Sequence, residues 1–179
     1  MEEKLLALLE RLAQAERALL AKEAHRLGLS ATQAQLLLHL AQRPQGVVAL
    51  AELLALTPAT VSEALAALER KGLLERARDP QDGRRFLLRA TEKGQKTAQA
   101  LKGYASPLRR ALAEVDGEAL LLPLMGLLAG LVRQGVVGET GMCLTCRHLR
   151  REEGPFCSLL GLPLKPPELR LACPDHAPA

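Results

Sequence analysis

With 179 residues, 48% of them hydrophobic, the chain is long enough for one ordinary domain with an appendage and apolar enough to bury a real core. Aromatic residues make up only 2%, with Tyr104 the one tyrosine and Phe86 and Phe156 the two phenylalanines, so leucine, alanine and valine must fill that core, a composition that favours helices. The formal charge of +4 admits a polyanionic partner without requiring one, and the opening MEEKLLALLE lacks the basic start and apolar run of a secretory signal, so a cytoplasmic protein is expected.

Residues 2–27 carry apolar side chains at 5, 8, 9, 12, 19 and 20 with charges between them, the pattern of a long amphipathic helix ending near Gly28. Ser30-Ala31-Thr32-Gln33 has the form of a capping box and starts a second helix that ends before Pro44. His39, inside the apolar stretch Leu36–Leu40, reads as a packed or surface residue rather than a ligand, and His25 supports nothing stronger. Val47–Leu56 reads as a short helix. Thr57-Pro58 opens another, because a threonine hydroxyl satisfies a free N–H at a helix start and proline lacks one. This helix, residues 58–71, closes at Gly72; Val61, Ala64, Leu65 and Leu68 share one face, and Ala59, Glu63, Ala66, Ala67 and Arg70 the other. Two short helices joined at a capped turn form a helix-turn-helix, a shape that helical hairpins without any DNA also adopt.

Leu73–Asp79 and Arg85–Thr91 read as strands around the turn-rich Asp79-Pro80-Gln81-Asp82-Gly83, which makes a β-hairpin. Arg76, Arg78, Arg84, Arg85 and Arg89 all fall on it. A solvated charged ribbon is the plain reading, but arginines at a hairpin tip directly after a helix-turn-helix are placed to enter a minor groove. Helix-turn-helix plus basic ribbon is a winged helix.

In that order, LSATQAQLLLHL, LALTPATVSEALAALERKGLLER and DPQDGRRFLLRATEKG resemble the MarR family of bacterial transcription regulators, and with its flanking helices the resemblance spans most of the chain. It implies that helix 58–71 enters the major groove, with Thr57, Pro58, Ala59, Thr60, Ser62 and Glu63 on its early exposed part and Arg70 further along. It also implies a wing motif of Asp, a variable residue and Arg, matched by Asp82-Gly83-Arg84, in which Arg84 enters the minor groove, Asp82 orients it and Arg85 adjoins. One departure stands out. Many relatives carry basic or amide side chains early in the reading helix, suited to bidentate contacts with guanine or adenine, whereas Ala59, Glu63, Ala66 and Ala67 suit thymine methyls and a cytosine amino group, so the operator sequence is not legible.

Residues 95–114 and 116–134 read as two further helices, the second with Asp116 as N-cap. Between Ala119 and Val132 no charge appears, but the run is short and broken by Pro123, Gly126 and Gly130, which fits a core or a subunit interface rather than a membrane span. In MarR-like proteins such helices pair with the N-terminal one, so the resemblance implies a homodimer facing half-sites roughly 34 Å apart in a pseudo-palindromic double-stranded DNA operator. It further implies a small-molecule inducer bound near the junction of dimer helices and DNA-binding lobe.

All four cysteines lie at the end of the chain, spaced Cys143-x2-Cys146-x10-Cys157-x15-Cys173, after a stretch Val136–Gly141 that reads as a linker. So small and proline-rich a piece needs a staple, and a reducing compartment disfavours disulfides. A metal held by Cys143, Cys146, Cys157 and Cys173 is therefore expected: Zn2+, with an iron–sulfur cluster as the alternative. Arg147, Arg150, Arg151 and Arg170 are near enough in sequence to hydrogen-bond the thiolates, and His148 and His176 read as bystanders.

The expected architecture is mainly α with a small β-hairpin wing: an N-terminal dimerisation helix (1–29), a winged helix-turn-helix (30–94), C-terminal dimerisation helices (95–136) and a metal-stapled four-cysteine extension (141–179). The expected function is a dimeric, sequence-specific repressor with structural zinc. The alternative makes the cysteine site a redox or metal sensor that controls operator binding. A thiol-disulfide oxidoreductase would place its CxxC at a helix start in a βαβ setting, which is missing around residue 143, and no other catalytic motif appears, so an enzyme is not expected.

Overall fold

The computed structural model describes residues 1–80, 82–152 and 154–179, and within them seven α-helices and two small antiparallel sheets. Gln81, part of the turn expected at 79–83, lies outside the described residues. Helix α1 (Glu2–Arg26) has Glu2 and Glu3 in its first turn and Arg26 in its last, each complementing the helix dipole. Helix α2 (Ala31–Leu40) starts at the expected capping box: Ser30 Oγ accepts from Gln33 N–H (3.1 Å) and Gln33 Oε1 accepts from Ser30 N–H (3.3 Å).

Helix α3 (Val47–Leu54) stops short of the expected Leu56 because Ala55 turns left-handed, with φ 51°, and Leu56 N–H closes back on Ala51 O (2.9 Å). Helix α4 (Pro58–Arg70) follows, with Thr57 as N-cap and proline at its start. Strands β1 (Leu74–Arg78) and β2 (Phe86–Ala90) pair antiparallel from Leu74 opposite Ala90 to Arg78 opposite Phe86. Gln45 adds a rung to β2, exchanging backbone bonds with Leu88 at 3.1 and 2.9 Å, which no local pattern foretold.

The single helix expected at 95–114 is broken. It is α5 (Glu92–Leu101), a 3-10 turn (Lys102–Ala105) and α6 (Ser106–Leu112). Thr91 caps α5 through Gly94 N–H (3.0 Å), so the helix begins early, and Gly103 and Pro107 explain why it does not run on. Gly94 has no room for a side chain: a Cβ there would lie 2.0 Å from Leu73 O. Helix α7 (Gly117–Arg133) has the expected Asp116 cap. Strands β3 (Leu149–Arg150), β4 (Phe156–Cys157) and β5 (Leu162–Pro163) form a small sheet in that order.

Two compact units emerge: Met1–Leu50 with Thr57–Ala111, and Ala51–Leu56 with Leu112–Ala179. Leucines from α2 and α4, chiefly Leu36, Leu37, Leu65 and Leu68, fill the core of the first with Leu50 and Leu101. Each such side chain contributes about 1.5–3 kcal/mol by leaving water. The second has its own core of Met125 and Ala129 on α7 packed with Met142 and Leu169. Thus the cysteine-bearing segment shares a core with α7. Among the described residues no single helix is long and apolar enough to cross a membrane.

Candidate nucleic-acid interface and cysteine cluster

Helix α4 is oriented by its own sequence. Val61, Leu65 and Leu68 are buried, which turns Ala59, Ser62 and Glu63 outward. Thr57 Oγ1 accepts from Thr60 N–H (3.1 Å) and lies 2.8 Å from Thr60 Oγ1, so both hydroxyls are engaged in the cap of two exposed residues. Pro58 and Arg70 are exposed at the two ends. Thr60, Glu63 and Arg70 line a cleft of about 330 Å³ with Ser30, Thr32 and Gln33 from the start of α2. Lys71, which looks like one more surface charge in the sequence, donates from Nζ to Gly28 O (2.6 Å) and Gln33 Oε1 (2.9 Å), fastening the end of α4 to the start of α2.

The wing arginines separate into two groups. Arg76 makes a two-pronged contact with Glu69 of α4 (2.7 and 3.2 Å), and Arg89 pairs with Glu75 across the hairpin (2.6 Å). Arg76 thus ties the wing to α4, and Arg89 is neutralised within the wing. Asp82 Oδ1 accepts from the backbone N–H of Arg84 (3.1 Å), and its other oxygen lies 3.3 Å from Arg85 Nε. Asp82 thus fixes the backbone at Arg84 and pairs with the side chain of Arg85. The guanidinium groups of Arg78 and Arg84 are exposed and have no acidic partner within the described residues.

A second cavity, about 310 Å³, is lined by Glu16 of α1, His39 and Gln42 of α2, and Lys102, Tyr104 and Arg109 beyond α5. Burial, reinforced by the charge on Arg43, holds the His39 imidazole below the ordinary histidine range. Burial and a hydrogen bond to Glu16 push the Tyr104 hydroxyl up, with Arg109 opposing.

The four cysteines are half-buried, none is in a disulfide, and all line one cavity of about 340 Å³ together with His148. Cys143 and Cys146 flank a tight 3-10 turn, Cys157 sits on β4 opposite Leu149, and Cys173 N–H donates to Gly141 O (2.8 Å). Arg170 N–H donates to Cys143 Sγ (3.2 Å). The side chains of Arg147 and Arg151, expected to face sulfur, donate instead to Pro178 O (2.9 Å) and Leu144 O (2.6 Å). No three His, Cys, Asp or Glu side chains among the described residues stand close enough to enclose an ion. The donor type suits a thiolate-bound metal, but among the described residues the sulfur positions do not form a closed shell.

Beside this cavity His176 is nearly buried, 3.2 Å from Thr145 Oγ1 and 3.6 Å from Glu139. Burial alone would raise the Glu139 carboxyl, but hydrogen bonds from Thr145 and Gly141, the charge of His176 and the Thr140 N–H hold it below the ordinary range.

A family model described as MarR family matches residues 27–85. Among solved structures, a probable transcriptional regulator from Pseudomonas aeruginosa is 31% identical, with 73% of this chain and 98% of that one covered and a TM-score of 0.54. BldR from Sulfolobus solfataricus is 28% identical, covering 72% and 97%, with a TM-score of 0.56. MepR from S. aureus, solved as a DNA complex, is 23% identical, covers 70% and 96% with a TM-score of 0.57, and speaks to the fold alone. No curated protein matches.

Proposed function

The chain belongs to the MarR family of winged-helix transcriptional regulators, and on that premise we propose that it is a homodimeric repressor that reads a pseudo-palindromic operator with α4 and the wing. Its class is that of a DNA-binding transcription regulator and not of an enzyme. The observation that carries the finer reading is the sorting of charge on the wing: Arg76 and Arg89 are neutralised by Glu69 and Glu75, whereas Asp82 fixes the Arg84 backbone and leaves its guanidinium unpaired among the described residues. A preset, unneutralised arginine at a wing tip suits the negative potential of a narrow minor groove. On α4 the exposed surface of Thr57, Pro58, Ala59 and Thr60 suits thymine methyl groups, Ser62 and Glu63 are open to base edges and Arg70 adds charge for phosphates, while on the wing Arg85 would exchange Asp82 for a phosphate.

Dimerisation is supported by exposed leucines: Leu5, Leu8 and Leu12 on α1 and Leu120, Leu124 and Leu127 on α7 are each 41–59% exposed in the single chain. A small-molecule inducer is part of the proposal, with the cavity around His39 and Tyr104 as its place. One solved relative, CouR from Rhodococcus jostii, is bound to p-coumaroyl-CoA. We also assign Zn2+ to Cys143, Cys146, Cys157 and Cys173, where it would supply a cross-link between segments far apart in sequence and require the thiols to draw inward. The protein is expected in the cytoplasm.

Selection of duplexes from a random-sequence pool tests the DNA reading: recovery of a two-fold symmetric motif supports it, and recovery of no motif contradicts it. Metal analysis tests the second assignment. A colourless protein with one zinc per chain supports it; a brown one absorbing in the visible means an iron–sulfur cluster, and a metal-free protein leaves the thiols without that role.

A further inference from the structure

The stretch Val136–Gly141, a linker by sequence, is fastened at both ends. Gly138 N–H donates to Glu52 O (3.0 Å) on α3, and a Cβ on Gly138 would stand 2.6 Å from Glu52 Cβ and 3.0 Å from its carbonyl carbon. At the far end Gly141, with φ 81°, lies against Cys173, whose N–H donates to Gly141 O (2.8 Å). Between them the Glu139 carboxylate accepts from Gly141 N–H (3.1 Å) and Thr145 Oγ1 (2.7 Å). Val136–Gly141 is therefore a strap running from the end of α3 to the four-cysteine fold, not a free tether.

What the strap holds is the turn ahead of the reading helix. Glu52 O also receives Ala55 N–H, at the long distance of 3.3 Å, and Ala55 itself is left-handed with φ 51°, a conformation that persists in a residue with a side chain only where its surroundings impose it. Two residues later Thr57 caps α4. We infer that Gly138 is a positioning residue for DNA binding: it seats the strap on α3, so that an intact four-cysteine fold becomes a condition for the setting of the α3–α4 turn. The inference rests on the DNA-reading role proposed for α4. Any change that separates Cys173 from Gly141 slackens the strap, and by linkage a bound duplex tightens it.

The test uses the full chain and a duplex that the wild-type protein selects from a random pool. Gly138→Ala is expected to weaken binding at least about fivefold while leaving the slope of log affinity against log salt unchanged, because no phosphate contact is lost. Glu139→Ala, which removes the oxygen that accepts from Gly141 N–H and Thr145 Oγ1, is expected to do the same, and the combination of the two to bind no worse than the weaker single one, since both act through one strap. Backbone hydrogen exchange, measured without DNA, should accelerate at Ala55 and Leu56 in each variant while Leu36, Leu37 and Leu101 keep their protection, which separates a moved turn from an unfolded chain. Glu139→Ala, which loosens the strap without adding an atom, decides the matter if Gly138→Ala disturbs the wider fold. Effects that multiply in the combined variant, or unchanged exchange at Ala55 and Leu56, overturn the inference. A wild-type protein that selects no duplex defeats the DNA-reading role instead, and the exchange measurement still decides the strap.

Discussion

Arg76 and Arg84 are alike in the sequence, two exposed arginines on a basic ribbon, and differ only in what lies opposite them in the fold. Glu69 takes Arg76 in two hydrogen bonds, and that pairing spans a helix and a strand, so no local pattern could announce it. The Asp82-Gly83-Arg84 motif was legible because its chemistry is local: a carboxylate accepting the N–H of the second residue on. Two residues in this chain carry predictions of their own. Thr140 Oγ1 is buried without a hydrogen-bond partner among the described residues, so Thr140→Val should raise stability by about 1 kcal/mol in thermal denaturation; a loss of similar size would mean that the hydroxyl is bonded. His39 is held neutral by burial and by Arg43, so as pH falls below the ordinary histidine value of about 6.5 the unfolded chain takes up a proton that the folded one refuses. Its contribution is complete above that pH and is lost on acidification toward the depressed folded value. His39→Gln should flatten the fall of melting temperature below about pH 6.5, and an identical fall in both proteins would remove His39 as its source.

At the scale of elements, starts were easier to read than ends. Ser30 with Gln33, Thr57 with Pro58, and Asp116 each announce a helix, because a cap is a hydrogen bond between neighbours in sequence. The early stop of α3, the break after Leu101, the rung that Gln45 adds to β2 and the seat of Gly138 on Glu52 all depend on partners or backbone conformations that the local pattern does not encode. Gly94 shows the same limit: inside KGQ it looks like a weak spot in a helix, yet it is where α5 meets the backbone of Leu73. Gly94→Ala should therefore cost about 1–3 kcal/mol, where helix propensity alone would forecast a gain. A measured gain on chemical denaturation would mean that the contact with Leu73 is loose.

For the whole molecule, the same feature that made α7 read as core or interface now divides it: Met125 and Ala129 are buried within the chain, and Leu120, Leu122, Leu124 and Leu127 are left 38–50% exposed. The dimer proposed for those faces predicts a sedimenting mass of two 19.3 kDa chains at micromolar concentration, and a monomer that still binds its selected duplex would exclude it. In the proposed complex α4 and the wing grip a duplex together, with Arg84 at the wing tip. Its most direct test is the affinity of wild type and Arg84→Ala for the selected duplex across a salt series. Arg84→Ala is expected to bind at least about tenfold more weakly, with the salt slope lowered by about 1 for each of the two wings. Equal affinities and equal slopes would contradict it.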